Sequence, residues 1–184
     1  MNPNYSTIKT SEKGSEKVVP AKESREKGHR EIVKELSVAL ANTYTVYLKT
    51  QNYHWNVTGP LFGTLHRIFD EHYHELADAI DKIAERIRAI GSYAPATYRQ
   101  FQEFTNIDED RDTPAADMML QNLVRDHESI VVTLRQSIRV ADEVNDAATS
   151  DLLVKRINEH EKYAWMLKSF TKGTTAENGR TTQH

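Results

Sequence analysis

The sequence contains no cysteine among its 184 residues. Without cysteine there is no disulfide and no thiolate metal ligand, so any bound metal would take oxygen and imidazole ligands. The absence also suits a reducing compartment, and we expect a cytoplasmic protein.

Long apolar runs and net charge are also scarce. No apolar stretch approaches the roughly 18 residues that span a bilayer, and the N-terminus lacks the apolar segment of a signal peptide. We therefore expect no membrane partner. The formal net charge is only −3, which does not favour a general nucleic-acid binder. The length and the ordinary balance of apolar and charged residues fit one folded domain.

The clearest pattern lies between Leu61 and Ile90 and predicts one long amphipathic helix. Its apolar residues fall within one narrow stripe when each residue advances by about 100°. The stripe consists of Leu65, Phe69, Leu76, Ile80, Ile83, Ile87 and Ile90. We expect this stripe to face the core.

A second set of residues on the same helix carries potential metal ligands, centred roughly 120° away from the apolar stripe. The set consists of His66, Asp70, Asp81 and Glu85. Asp70 and Asp81 are roughly 16 Å apart along the helix axis, too far to share one metal. However, the two pairs are mirror images about a point between Glu75 and Leu76.

This symmetry predicts a two-fold dimer. If a second copy of the helix lies antiparallel to the first, His66 faces Glu85 of the copy and Asp70 faces Asp81. Two identical sites of imidazole and carboxylate then form at the interface, as expected for an isologous dimer. The alternative is an ordinary solvated face, which is the usual state of exposed charges.

The residues around this helix resemble those of the Dps mini-ferritins from about residue 30 to 172. The resemblance rests on the run His54-Trp55-Asn56-Val57, on the four spaced residues above, and on the segment 84–87. It implies a ferritin-like four-helix subunit, a hollow shell of twelve subunits and ferroxidase centres at dimer interfaces. One subunit would supply His54, His66 and Asp70, and the other Asp81 and Glu85.

The resemblance also implies a function. Iron would be the metal: Fe²⁺ would be oxidised, usually by hydrogen peroxide, and stored as ferric mineral, which protects DNA from oxidative damage. Trp55 would absorb stray oxidising equivalents beside the centre. Acidic residues near the last loop, Asp146 and Asp151, would line a pore that draws cations into the shell.

The fold class predicted for the chain is all-α, a ferritin-like four-helix bundle with a short extra helix between helices two and three. Residues 1–28 lack apolar periodicity and contain helix breakers, the last of which is Gly28. They and residues 173–184 are predicted to be disordered tails flanking a bundle of residues 29–172. The long connection lets helices two and three run parallel. Four of the predicted helices run from about Arg30 to Asn56, Leu61 to Ile90, Tyr98 to Phe104 and Asp151 to Thr171. Another is predicted to begin with Thr113 as its cap and Pro114 in its first position.

Three alternatives remain at this stage. The first 28 residues hold six cations against four glutamates, so the protein could instead be a nucleoid-compacting DNA binder with a secondary metal site, or bind DNA weakly through this tail.

A ferritin-type site inside the bundle would need two Glu-x-x-His motifs, and Glu71-x-x-His74 is the sole candidate in the predicted helices. The third alternative is a scaffold without chemistry. His127 and Glu128 are interpreted as packing or surface residues.

Overall fold

Five helices make up the protein in a computed structural model, which describes the backbone of residues 21–171 and side chains from residue 26 onward. They are α1 (Ala21–Asn56), α2 (Phe62–Ala89), α3 (Tyr98–Phe104), α4 (Ala116–Glu143) and α5 (Ala147–Thr171). This described range contains no strand and no helix that is long and apolar enough to cross a bilayer. The predicted all-α class and the short extra helix α3 are confirmed.

Contacts across the bundle define the direction of each helix. Lys49 pairs with Asp126 at 2.6 Å, and Glu35 accepts a hydrogen bond from Ser137 at 2.8 Å, so α1 and α4 are antiparallel. On the opposite side, α2 and α5 are antiparallel as well: the His72 ring packs on Tyr163, and Arg86 bonds Thr149. Because short turns join α1 to α2 and α4 to α5, the helices α2 and α4 run parallel, as the long connection between them predicted.

The predicted apolar stripe of α2 faces the core. Leu65, Phe69, Leu76, Ile83 and Ile87 are fully buried, whereas Ile80 and Ile90 are half-buried at its margins. The core also contains polar side chains that the apolar pattern did not predict, among them His72 of α2. Such groups are costly to bury unless they are paired.

Helix α1 begins at Ala21, nine residues earlier than predicted, and therefore includes residues 21–28 of the predicted tail. Gly28 does not break the helix: it is buried, and a Cβ at this position would lie 2.5 Å from a methyl carbon of Val144. The glycine thus lets α1 pass close to the end of α4. The rest of the predicted tails, residues 1–20 and 173–184, lies outside the described residues.

Two other helix starts differ from the prediction. Helix α4 starts at Ala116 with an extended Ala115 as its cap, not with Thr113 as cap and Pro114 in its first turn. Helix α5 starts at Ala147, four residues before Asp151. Here the carboxylate of Asp146 accepts a hydrogen bond from the Thr149 backbone N–H at 3.1 Å, which makes a normal N-terminal cap.

Buried polar contacts hold the long connection against the bundle. The ammonium group of Lys49 donates to the backbone carbonyl of Asp108 at 2.5 Å and to Asp126 at 2.6 Å. Further along the connection, the side-chain oxygen of Asn42 accepts from the backbone N–H of Asn106 at 2.9 Å. The connection is therefore anchored to α1 at two points, and Lys49 joins it to Asp126 of α4.

Two buried histidines predict an acid-sensitive bundle. Burial, reinforced by nearby charge, lowers the pKa of His127 to about 3 and also depresses the pKa of His160. In the unfolded chain both would titrate near 6.5, so below that pH the unfolded state binds more protons. Stability should therefore fall with decreasing pH, by on the order of 1 kcal/mol per histidine for each pH unit below about 6.

Guanidinium unfolding at pH 7 and pH 5 measures this effect. The variant His127→Leu/His160→Leu keeps the core filled and should lose less stability between the two pH values than the wild type. An equal loss in both proteins would assign the acid sensitivity to other groups.

Candidate metal centre

The turn between α1 and α2 places His54 against His66. Helix α1 ends at Asn56, and Gly59 adopts a positive φ of 103° that reverses the chain. Helix α2 then begins at Phe62. As a result, the last turn of α1 lies beside the first turn of α2, and the two imidazole rings stack with their centres 3.8 Å apart.

Each of these two histidines is held by the backbone of the other. Nδ1 of His54 lies 2.8 Å from the carbonyl oxygen of His66, and Nδ1 of His66 lies 2.8 Å from the carbonyl oxygen of His54. A carbonyl oxygen only accepts, so both Nδ1 atoms must carry the hydrogen. In the neutral rings the lone pair is then on Nε2, the arrangement found in histidine metal ligands.

Asp70 adds a carboxylate to this pair. Its Oδ1 lies 3.8 Å from Nε2 of His54, and its side chain is 43% exposed, whereas that of His54 is 12% exposed. Tyr73, one turn later, donates a hydrogen bond of 2.9 Å to the same oxygen. Desolvation and this hydrogen bond raise the pKa of Tyr73, so the phenol stays protonated and orients the carboxylate.

The structure thus brings together three of the five predicted ligands. Asp81 and Glu85 are exposed further along α2, on the part of its surface that does not face the core. In the described part of a single chain, no three histidine, aspartate or glutamate side chains converge on one point as a metal site. One chain therefore presents two separated groups of ligand types, one where α1 meets the start of α2 and one further along α2.

Exposed apolar side chains surround the histidine pair. Trp55 is 64% exposed, and Leu61 and Phe62 are about half exposed. The ring of Phe62 also stacks on that of His66. Such residues in one small region of a single chain are typical of a surface that is covered by another copy. The role of Trp55 as a trap for oxidising equivalents stays a prediction.

The two predicted pore residues already have partners within the chain. Hydrogen bonds from Arg86 and Thr149 lower the pKa of Asp146, although desolvation acts in the opposite direction. Asp151 is exposed and pairs with Lys155 at 2.7 Å. Asp146 thus has a structural role as a cap, and the pore remains a prediction for both residues.

A site of the ferritin type inside the bundle is not supported at the predicted motif, because Glu71 and His74 are both exposed on α2.

The sequence reasoning missed Tyr73, although its position three residues after Asp70 could have indicated a contact on one helix face. His127, interpreted as packing or surface, is fully buried against His160.

Comparison with known proteins gives consistent matches. The ferritin-like domain family matches residues 33–175 of this chain. A DNA protection during starvation protein 2 from Bacillus anthracis is 38% identical over 142 residues, which cover 77% of this chain and 97% of that protein.

Two solved structures show the same fold. A Dps protein from Bacillus brevis has a TM-score of 0.76 at 37% identity and covers 78% of this chain and 97% of its own. A Dps protein from Vibrio cholerae O1, described as a member of a broad superfamily of ferritin-like diiron-carboxylate proteins, has a TM-score of 0.75 at 30% identity. That match covers 78% of this chain and 91% of the Vibrio chain.

Proposed function

This chain belongs to the Dps family of ferritin-like proteins, and on that premise we propose that it oxidises Fe²⁺ at centres shared between two subunits and stores the ferric product. The observation that carries the proposal is the reciprocal pair of His54 and His66. Their Nδ1 atoms bond only backbone carbonyls, which leaves both Nε2 atoms for a metal, with the half-exposed Asp70 beside them.

The complete site would form across a two-fold axis. His54, His66 and Asp70 come from one subunit, and Asp81 and Glu85 of the partner subunit complete the site. The exposure of Asp81 and Glu85, and the exposed apolar residues near the histidines, support such an interface. A closed shell of twelve such subunits is the assembly expected for the family.

The ligand set favours oxidation of iron. Carboxylates are hard anions that stabilise Fe³⁺ more than Fe²⁺, while imidazole nitrogens also bind Fe²⁺. With hydrogen peroxide as oxidant, two ferrous ions each give one electron, and the oxygen–oxygen bond breaks as peroxide accepts both. The two oxygen atoms leave as hydroxide or water, so no hydroxyl radical is released. Removing iron and peroxide together would protect DNA, which is the role that the name of the Bacillus anthracis relative states.

Ligand variants should abolish metal binding without disturbing the fold. We expect His66→Ala/Asp70→Asn to lower iron binding in an anaerobic Fe²⁺ titration, and to slow oxidation after peroxide addition, by at least about tenfold. The matched control is Asp78→Asn, an exposed carboxylate of the same helix with no predicted role. Equal iron binding in the ligand variant and the wild type would contradict the assignment, as would an equal loss in the control.

Mixed assemblies test whether the site is shared. A subunit carrying Asp81→Asn/Glu85→Gln is co-expressed with one carrying His66→Ala/Asp70→Asn. About half of randomly formed pairs are mixed and each has one intact site, so about a quarter of the wild-type ferroxidase activity should return.

The control for this experiment mixes His66→Ala with Asp70→Asn. Both changes affect the same half of the site, so no intact site forms and no activity should return. Recovery in the control, or none in the test mixture, would exclude a site divided in the proposed way.

Nucleoid compaction is the second candidate function, because relatives are named for DNA protection. The segment that would bind DNA, residues 1–20 and the start of α1, falls mostly outside the described residues. Its six cations are interleaved with four glutamates, so we expect only weak binding that disappears at moderate salt.

A gel shift with plasmid DNA at low and moderate salt, with and without residues 1–20, measures this binding. Tight binding that survives moderate salt would instead make compaction the main function.

A further inference from the structure

Three histidines lie together in the middle of the bundle, away from the interface half-site. His72 of α2, His127 of α4 and His160 of α5 are 0–1% exposed, and we call them the core histidine cluster. The ring centres of His127 and His160 are 5.1 Å apart, and those of His72 and His127 are 6.3 Å apart. Three imidazoles from three helices therefore meet in one buried region.

Most nitrogens of the cluster have no hydrogen-bond partner in the described structure. Nδ1 of His127 and Nδ1 of His160 are 2.9 Å apart and share one hydrogen. Both nitrogens of His72, and Nε2 of the other two rings, are buried without a partner. Three neutral imidazoles carry three N–H groups, and only one of these is used. Buried polar atoms are rarely left in this state, so a missing partner must be identified.

The neighbouring charges do not supply this partner. Glu75 is engaged by Arg156 through both of its carboxylate oxygens. Tyr163 packs on the ring of His72 with centres 3.9 Å apart. Burial lowers the pKa of all three histidines, so the rings are neutral at pH 7. One ring lone pair accepts the hydrogen that His127 and His160 share, and the lone pairs of the other two neutral rings are free. Neutral imidazoles without protein partners are suited to bind a metal ion.

We propose that the core histidine cluster binds one first-row divalent cation, with Zn²⁺ as the best fit, inside each subunit. Neighbouring nitrogen ligands of a tetrahedral ion lie roughly 3.4 Å apart when the metal bonds are about 2.1 Å long, so the two Nδ1 atoms, 2.9 Å apart, need to separate by about 0.5 Å. For both atoms to bind, one ring moves its hydrogen from Nδ1 to Nε2, and no proton is lost.

His72 supplies the third ligand after a rotation of its ring. Within the described residues no three histidine, aspartate or glutamate side chains converge on one point, so this rotation of His72 is required. It breaks no hydrogen bond, because neither nitrogen of His72 has a partner. A site made of imidazoles alone selects Zn²⁺ over Mg²⁺ or Ca²⁺, unlike the carboxylate-rich interface site.

The test uses the full chain with His66→Ala/Asp70→Asn, which removes the interface site and keeps the cluster. Protein from cells grown with added Zn²⁺ or Co²⁺ should retain about one ion per chain after desalting, and X-ray absorption should show nitrogen ligands at about 2.0–2.1 Å. Adding His127→Leu or His160→Leu to this background should remove the ion, whereas adding the exposed control His29→Ala should not.

The proposal is overturned if the parent variant retains no metal under either condition, or if the leucine variants retain as much metal as the parent. A crystal structure with water between the rings would overturn it as well. None of these outcomes bears on the proposed iron site at the subunit interface. In an otherwise wild-type chain, His127→Leu or His160→Leu should leave iron oxidation unchanged. Likewise, if the iron titration and the mixed assemblies contradicted the interface site, the metal retained by the core histidine cluster would not change.

Discussion

The proposed half-site depends on the exchange of two hydrogen bonds between His54 and His66. Each ring is bound to the backbone carbonyl of the other residue, at 2.8 Å in both cases. This exchange joins the end of α1 to the start of α2 and at the same time selects the Nδ1–H form of both rings. A packing contact between two helices thereby also determines which nitrogens are available to the proposed metal. Asp70 lies beside the two rings because it is one turn further along α2, and the hydrogen bond from Tyr73 orients its carboxylate.

The rest of the bundle keeps these helices in place with buried polar pairs as well as with apolar packing. Lys49 and Asp126 link α1 to α4, and Glu75 and Arg156 link α2 to α5. A paired buried charge contributes little net stability, but an unpaired one would be strongly unfavourable, so these pairs restrict which helices can be neighbours. The core histidine cluster is the exception, because most of its nitrogens lack a protein partner.

Much of the fold could be predicted from local patterns, and the errors have clear causes. The stripe on α2 and the short helix α3 follow from periodicity, and both are present. The predicted start of α1 near Arg30 is too late because the prediction treats Gly28 as a helix breaker. In the bundle this glycine instead allows close contact with Val144, a residue more than 100 positions away. Local propensity contains no information about such a contact.

The amino-acid sequence alone determined the helical class, the face of α2 that is buried, and the mirrored spacing of potential ligands on its other face. These properties depend on residue type and on the fixed geometry of a helix, which hold before any tertiary contact forms. Only the tertiary structure decided that the rings of His54 and His66 exchange hydrogen bonds, that Asp146 caps α5 against Arg86, and that three histidines from different helices meet in the core. Those features join residues on different helices, so they exist only once the helices have packed.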